Sequence, residues 1–73
     1  METVVLRVQG MSCQGCASRI ERALTRVEGV RAVVADHVRG RVEIRLDPAS
    51  TEHGVLVERI SAAGFEVVEE ARR

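Results

Sequence analysis

The sequence predicts an α+β domain in the order strand, helix, strand, strand, helix, strand, and three observations predict it. Apolar residues recur at every second position in four short stretches and at helical spacing in two longer ones. Glycine or Asp-Pro stands at each change of period. The 73 residues are enough for one small core and no second one, so residues 1–73 are expected to form a single domain.

Thr3 to Gln9 alternates, with Val4, Leu6 and Val8 on one face and Thr3, Arg7 and Gln9 on the other. That is the pattern of a half-covered strand, with Val5 as the exception. Gly10 ends it. From Cys13 to Val27 the period lengthens, and Ala17, Ile20, Ala23, Leu24 and Val27 share a helical face, with Ser12 as the expected N-cap and Gly29 closing the helix. Val30–Val38 and Arg41–Leu46 read as two strands joined by a short antiparallel hairpin at Arg39-Gly40. Asp47-Pro48 breaks the second of them.

A second helix is expected from about Thr51 to Ala63, with Val55, Leu56, Arg59, Ile60 and Ala63 near one face. Gly54 weakens its first turn by up to ~1 kcal/mol relative to alanine. Gly64 caps it, Phe65–Glu69 forms the last strand, and the polar tail Glu70–Arg73 is expected to fray. Two such halves make the split βαβ, or ferredoxin-like, βαββαβ sandwich: a four-stranded antiparallel sheet with both helices on one face.

Composition removes several function classes. Eleven acids balance eleven bases, every base being arginine, so the chain lacks the basic excess that nucleic acid binding requires. No stretch approaches the ~20 apolar residues of a membrane helix. The N-terminus has no basic segment followed by a long apolar run, so a signal peptide is not expected. The reading that follows is a cytosolic protein with reduced cysteines. One close cysteine pair is also a poor framework for a disulfide-stapled fold.

The chemistry lies in Cys13-Gln14-Gly15-Cys16. Two thiols stand three positions apart just before the first helical stretch, in a chain with no other cysteine. The positive end of a helix favours thiolate over thiol, by roughly one pKa unit or more. Two thiolates without a third nearby ligand suit a soft metal ion of low coordination number.

Around this motif, Gly10-Met11-Ser12-Cys13-Gln14-Gly15-Cys16, the chain resembles the heavy-metal-associated domain family. That family comprises copper chaperones and the N-terminal metal-binding domains of copper-transporting P-type ATPases. Gly29-Val30, Gly40, Leu46-Asp47-Pro48 and Ala63-Gly64-Phe65 also fall at the family's spacing, so the resemblance covers nearly the whole chain. It implies that Cys13 and Cys16 bind Cu(I) as a near-linear bis-thiolate. It implies transfer to the CxxC of a copper ATPase metal-binding domain through shared-thiolate intermediates, without enzymatic catalysis. Such a carrier is expected to be a monomer when apo, and a metal-bridged dimer through four thiolates stays open. The same domain excised from an ATPase, a Hg(II) or Zn(II) carrier of this fold, and a thiol-disulfide redox protein are the alternatives.

The neighbouring residues are read in the same light. Met11 could be a thioether ligand, but the resemblance favours packing that supports the loop. Ser12 stands where Zn(II)-handling relatives often carry Asp, and offers no carboxylate, which favours Cu(I). Phe65 occupies a position facing the metal, where an aromatic ring shields sulfur from water or simply packs in the core. His37 and His53 match no short zinc spacing with the cysteines and read as surface or half-buried histidines. Arg19, Arg22 and Arg26 recur on one side of the first helix beside the cysteines, as a solvated face or as a docking stripe for an acidic partner.

Overall fold

Residues 2–72 are described by a computed structural model. Strand β1 spans Glu2–Gln9, helix α1 Gln14–Thr25, β2 Val30–Asp36, β3 Arg41–Leu46, helix α2 His53–Ala62 and β4 Glu66–Arg72. The four strands form one sheet in the order β2-β3-β1-β4, every neighbouring pair antiparallel. This is the expected ferredoxin-like arrangement. The helices lie over one sheet face, α1 against β2 and α2 against β4.

The period-2 pattern becomes the covered face of the sheet. Val4, Leu6 and Val8 of β1 and Val42, Ile44 and Leu46 of β3 are buried, and Val4 stands opposite Ile44, Leu6 opposite Val42. Ala17, Ile20 and Leu24 of α1 and Leu56 and Ile60 of α2 close over them. Burying a side chain of this size contributes roughly 1.5–3 kcal/mol each, so the branched aliphatics carry a core that has one aromatic at its margin. Val27 is buried as expected, Ala23, Val55 and Ala63 are half-buried, and Arg59 is exposed.

Four local expectations are corrected. Helix α1 begins one residue later than a Ser12 cap requires. Cys13 is the N-cap, extended at φ −150° and ψ 168°, and its carbonyl accepts from the amides of Cys16 and Ala17. Ser12 therefore sits outside the cap, exposed.

The β2–β3 hairpin turns earlier than Arg39-Gly40. Asp36 Oδ1 accepts from the amides of Val38 and Arg39, which folds residues 37–40 into a four-residue turn and places His37 in it rather than in a strand. The polar tail does not fray at Glu70. Strand β4 runs to Arg72, because β1 offers it backbone partners as far as Val4. Arg73 lies outside the described residues. Finally, the last strand starts at Glu66, since Phe65 is taken up in the closure that follows α2. Its amide donates to the Ile60 carbonyl while Gly64, at φ +95°, donates to Ser61. That pair of bonds is a Schellman closure.

Strand β4 carries a register shift opposite Arg7 and Val8, which leaves Val68 as the unpaired extra residue. The shift returns Glu70 to the helix side, opposite Leu6.

Candidate metal centre

The loop between β1 and α1 sets the site. Gly10 leaves the strand at φ +92°, a conformation that suits glycine, and its carbonyl accepts from the Ser12 amide. Met11 then turns inward and is 4% exposed, packed in the main core cluster. It anchors the loop while Ser12 and Cys13 stay exposed. Phe65 arrives from the distant end of α2. Its ring lies so near that a Cβ added at Gly10 would sit 3.5 Å from Phe65 Cδ1. The ring is half-buried against the core margin beneath the loop.

Cys13 at the N-cap and Cys16 in the first turn of α1 bring their sulfurs to 3.2 Å. Both thiols are free, Cys13 exposed and Cys16 half-buried against the core. Hydrogen bonding from the Cys16 thiol, and then from the backbone amides of Cys16 and Gly15, holds the Cys13 thiol below its ordinary value. At Cys13 the neighbouring thiol leads in favouring thiolate, ahead of the amides of the helix end on which the sequence reading relied. No acid stands in the first turn of α1 to oppose it.

Among the described residues, no group of three or more His, Cys, Asp or Glu side chains converges where it could hold a metal. The histidines lie elsewhere. His37 sits in the β2–β3 turn. His53 opens α2 and faces two carboxylates, with Nδ1 2.9 Å from Glu70 Oε1 and Nε2 3.5 Å from Glu2 Oε1. Glu2 is at the opposite end of β1 from Gly10. The His53 cluster had a weak signal in sequence, because the contacts come from three separate elements.

Two sulfurs with no further His, Cys, Asp or Glu side chain joining them in a metal-holding group, among the described residues, fit an ion content with two thiolates. A near-linear arrangement needs the sulfurs about two metal–sulfur bonds apart, on the order of 4.5 Å for bonds of ~2.3 Å. A near-linear ion would need the 3.2 Å pair to spread, and Cys13 is the exposed member of that pair.

Arg19, Arg22 and Arg26 are exposed along α1 and border one open groove of about 620 Å³ floored by Gly15, Ser18 and Ala23. Gly15 belongs to the cysteine motif, so the basic groove starts at the thiol loop. Met11, Ser12, Cys13 and Cys16 thus share the loop and the first turn of α1, Phe65 lies against Gly10 of that loop, and the arginines run from its edge along α1 to the far end of the helix at Arg26.

The heavy-metal-associated domain model matches residues 5–66. The chain is 45% identical over 64 residues to a probable copper-transporting ATPase, HMA5, of Arabidopsis thaliana, covering 86% of this chain and 6% of that protein. It is 38% identical over 63 residues to copper-transporting ATPase 1 of Rattus norvegicus, covering 86% of this chain and 4% of that protein. The chain thus spans only a small fraction of the length of these ATPases. Among solved structures, the CopZ metallochaperone superposes with a TM-score of 0.89 at 30% identity, covering 90% of this chain and 98% of that one.

Proposed function

Because this chain belongs to the heavy-metal-associated domain family, we propose that it is a cytosolic Cu(I) carrier that binds copper through Cys13 and Cys16 and passes it to a copper-transporting P-type ATPase. The observation that carries this reading is a pair of thiols 3.2 Å apart at a helix N-terminus, with no third donor converging among the described residues. Thiolates select Cu(I), which tolerates two or three of them.

Copper is cargo in this scheme. Its capture displaces the thiol protons, and the lowered Cys13 thiol gives its proton up readily. Cys16 holds the ion from the core side while Cys13 faces solvent. A partner thiolate joins the copper before Cys13 leaves, and Cys16 follows. No electron is transferred and copper is never free. The direction follows from relative affinity alone.

Met11 acts through packing, since its side chain is committed to the core. Phe65 backs the loop through Gly10 and limits water at the sulfurs from that side. The arginine groove is the docking surface for an acidic partner domain. The coverage of only 4–6% of the ATPase relatives supports a second reading, in which residues 1–73 are one metal-binding domain of such a pump. The thiol chemistry is the same in both.

An anaerobic competition titration with Cu(I), Zn(II) and a strong Cu(I) chelator tests the reading. One Cu(I) per chain, or one shared by two chains, is expected, with tight binding lost in Cys13→Ser and Cys16→Ser. Undiminished Cu(I) affinity in the double serine variant would refute it. Turnover of substrate disulfides would point instead to thiol-disulfide chemistry.

A further inference from the structure

Gly15 is the second residue of α1 and is exposed. Nothing in its backbone calls for glycine, since its φ is not positive, unlike that of Gly10, Gly29, Gly40 and Gly64. Glycine is also a poor helix former. What distinguishes the position is its neighbour. A Cβ added at Gly15 would stand 3.8 Å from Cys13 Sγ, an ordinary contact distance. Among the described residues that sulfur is the one atom within 4 Å, chain neighbours and the backbone of the helix aside. The missing side chain therefore leaves open the space beside the Cys13 sulfur.

The same glycine forms one end of the basic groove, whose lining holds Arg19, Arg22 and Arg26 and no carboxylate. Glu21, the one acid in α1, is turned aside, and its Oε2 accepts a hydrogen bond from the Ala35 amide of β2 at 3.0 Å. Among the described residues, no ion pair engages the three arginines. A concave surface lined by one sign of charge concentrates the opposite sign. Guanidinium groups bind carboxylates and similar oxyanions in a two-pronged fashion. Neither cysteine lines the groove itself, so Gly15 is where the groove comes up to Cys13. Cys16 is half-buried against the core.

We propose that the open space over Gly15 makes the arginine groove the entry to the Cys13 sulfur, so that Cys13 reacts selectively with sulfur compounds that carry negative charge close to their own sulfur. Gly15 is then a positioning residue, set by the space it leaves, and Arg19 and Arg22 supply the selection. The inference rests on the carrier reading only in taking Cys13 as the first thiol to exchange, and it names which thiolates are admitted to that exchange. A thiolate flanked by acidic groups enters along the groove and reaches the sulfur across Gly15. A thiolate flanked by basic groups is turned away by the same arginines.

The test uses no metal, so it can fail while copper binding stands. The reduced full chain carries Cys16→Ser throughout, which leaves Cys13 as its only thiol. It is treated with two methanethiosulfonate reagents of similar size, one ending in a sulfonate and one in a trimethylammonium group. The Cys13 thiol gives its proton to solvent, and the thiolate attacks the sulfenyl sulfur. A disulfide forms, and methanesulfinate leaves with the electron pair of the broken S–S bond. The readout is the ratio of the two rates, by quenched mass spectrometry, against the same ratio for the chain unfolded in urea. At low salt the folded chain is expected to favour the sulfonate reagent by about tenfold over that reference. The preference is expected to shrink at high salt, where exposed charges are screened. Arg19→Gln with Arg22→Gln is expected to bring the ratio close to the unfolded value. Gly15→Leu, which favours the helix, is expected to slow the sulfonate reagent severalfold. Gly54→Leu makes the same change in α2, where an added Cβ meets nothing within 4 Å, and is expected to leave both rates alone. A ratio no higher than in the unfolded chain would overturn the proposal. So would a ratio that survives loss of both arginines, or a Gly15→Leu variant that reacts as fast as its parent.

Discussion

At the scale of single residues, the site rests on a division of labour between neighbours. Met11 is buried and Cys13, two positions on, is exposed, so loop anchoring and the thiol fall to separate residues of one short loop. Met11→Leu is expected to keep Cu(I) affinity within about tenfold, or ~1.4 kcal/mol, since leucine fills a similar volume. X-ray absorption that shows a methionine sulfur on copper in the wild type would contradict that expectation. Cys13 carries a pH consequence. Its thiol is held below the ordinary value by Cys16, so the thiolate is favoured in the folded chain. The sign follows directly: the contribution to stability is full above the unfolded thiol pKa of ~8.5 and is lost as pH falls through the folded value. Thiolate absorbance and alkylation rate at Cys13 are both expected to rise at lower pH than for an unfolded peptide. A Cys13 titration that coincides with the unfolded value would remove the proposed advantage in copper capture.

At the scale of elements, the glycines differ in what they tolerate. Gly29 follows α1 at φ +91°, and a Cβ there would sit 2.6 Å from Ser50 Cβ, while its carbonyl accepts from the Asp47 amide. Both the backbone conformation and the close approach exclude a side chain. Gly64 has φ +95° with nothing within 4 Å of an added Cβ. Gly64→Ala is therefore expected to cost only the conformational penalty, about 1–2 kcal/mol, and Gly29→Ala clearly more. Gly54 lies exposed in the first turn of α2 with open space around it and an ordinary backbone, so Gly54→Ala is expected to stabilise by up to ~1 kcal/mol. Urea unfolding of the three variants checks the order. A Gly29→Ala variant as stable as Gly64→Ala would show that the Ser50 segment yields easily.

At the scale of the whole molecule, the charges cancel in number but not in place. Arg19, Arg22 and Arg26 line one groove on α1, with Glu21 turned aside to the β2 edge. Such a stripe steers encounter with an acidic surface more than it adds affinity. Reversing Arg19 and Arg22 to Glu is expected to slow copper transfer to an ATPase metal-binding domain while leaving Cu(I) affinity near wild type. Wild-type transfer is expected to slow with salt. Stopped-flow transfer at low and high salt decides. A salt-independent wild-type rate with no change in the reversed variant would make the stripe an ordinary solvated face.

What the sequence determined by itself was the set of elements and the pair of candidate thiol donors. Apolar periodicity is local, and so was enough to place all six elements and the covered faces of β1 and β3. The CxxC spacing lies within one turn of helix, so the closeness of the two sulfurs needed no tertiary information. The tertiary structure decided what depends on partners far along the chain. Strand β4 continues to Arg72 because β1 supplies backbone partners that a polar tail does not announce. Phe65 meets Gly10, His53 lies between Glu2 and Glu70, and Glu21 closes on Ala35 only after the sheet order is set. The N-cap is Cys13 rather than Ser12, in a loop whose Met11 is buried in the core, and local propensity contains neither fact.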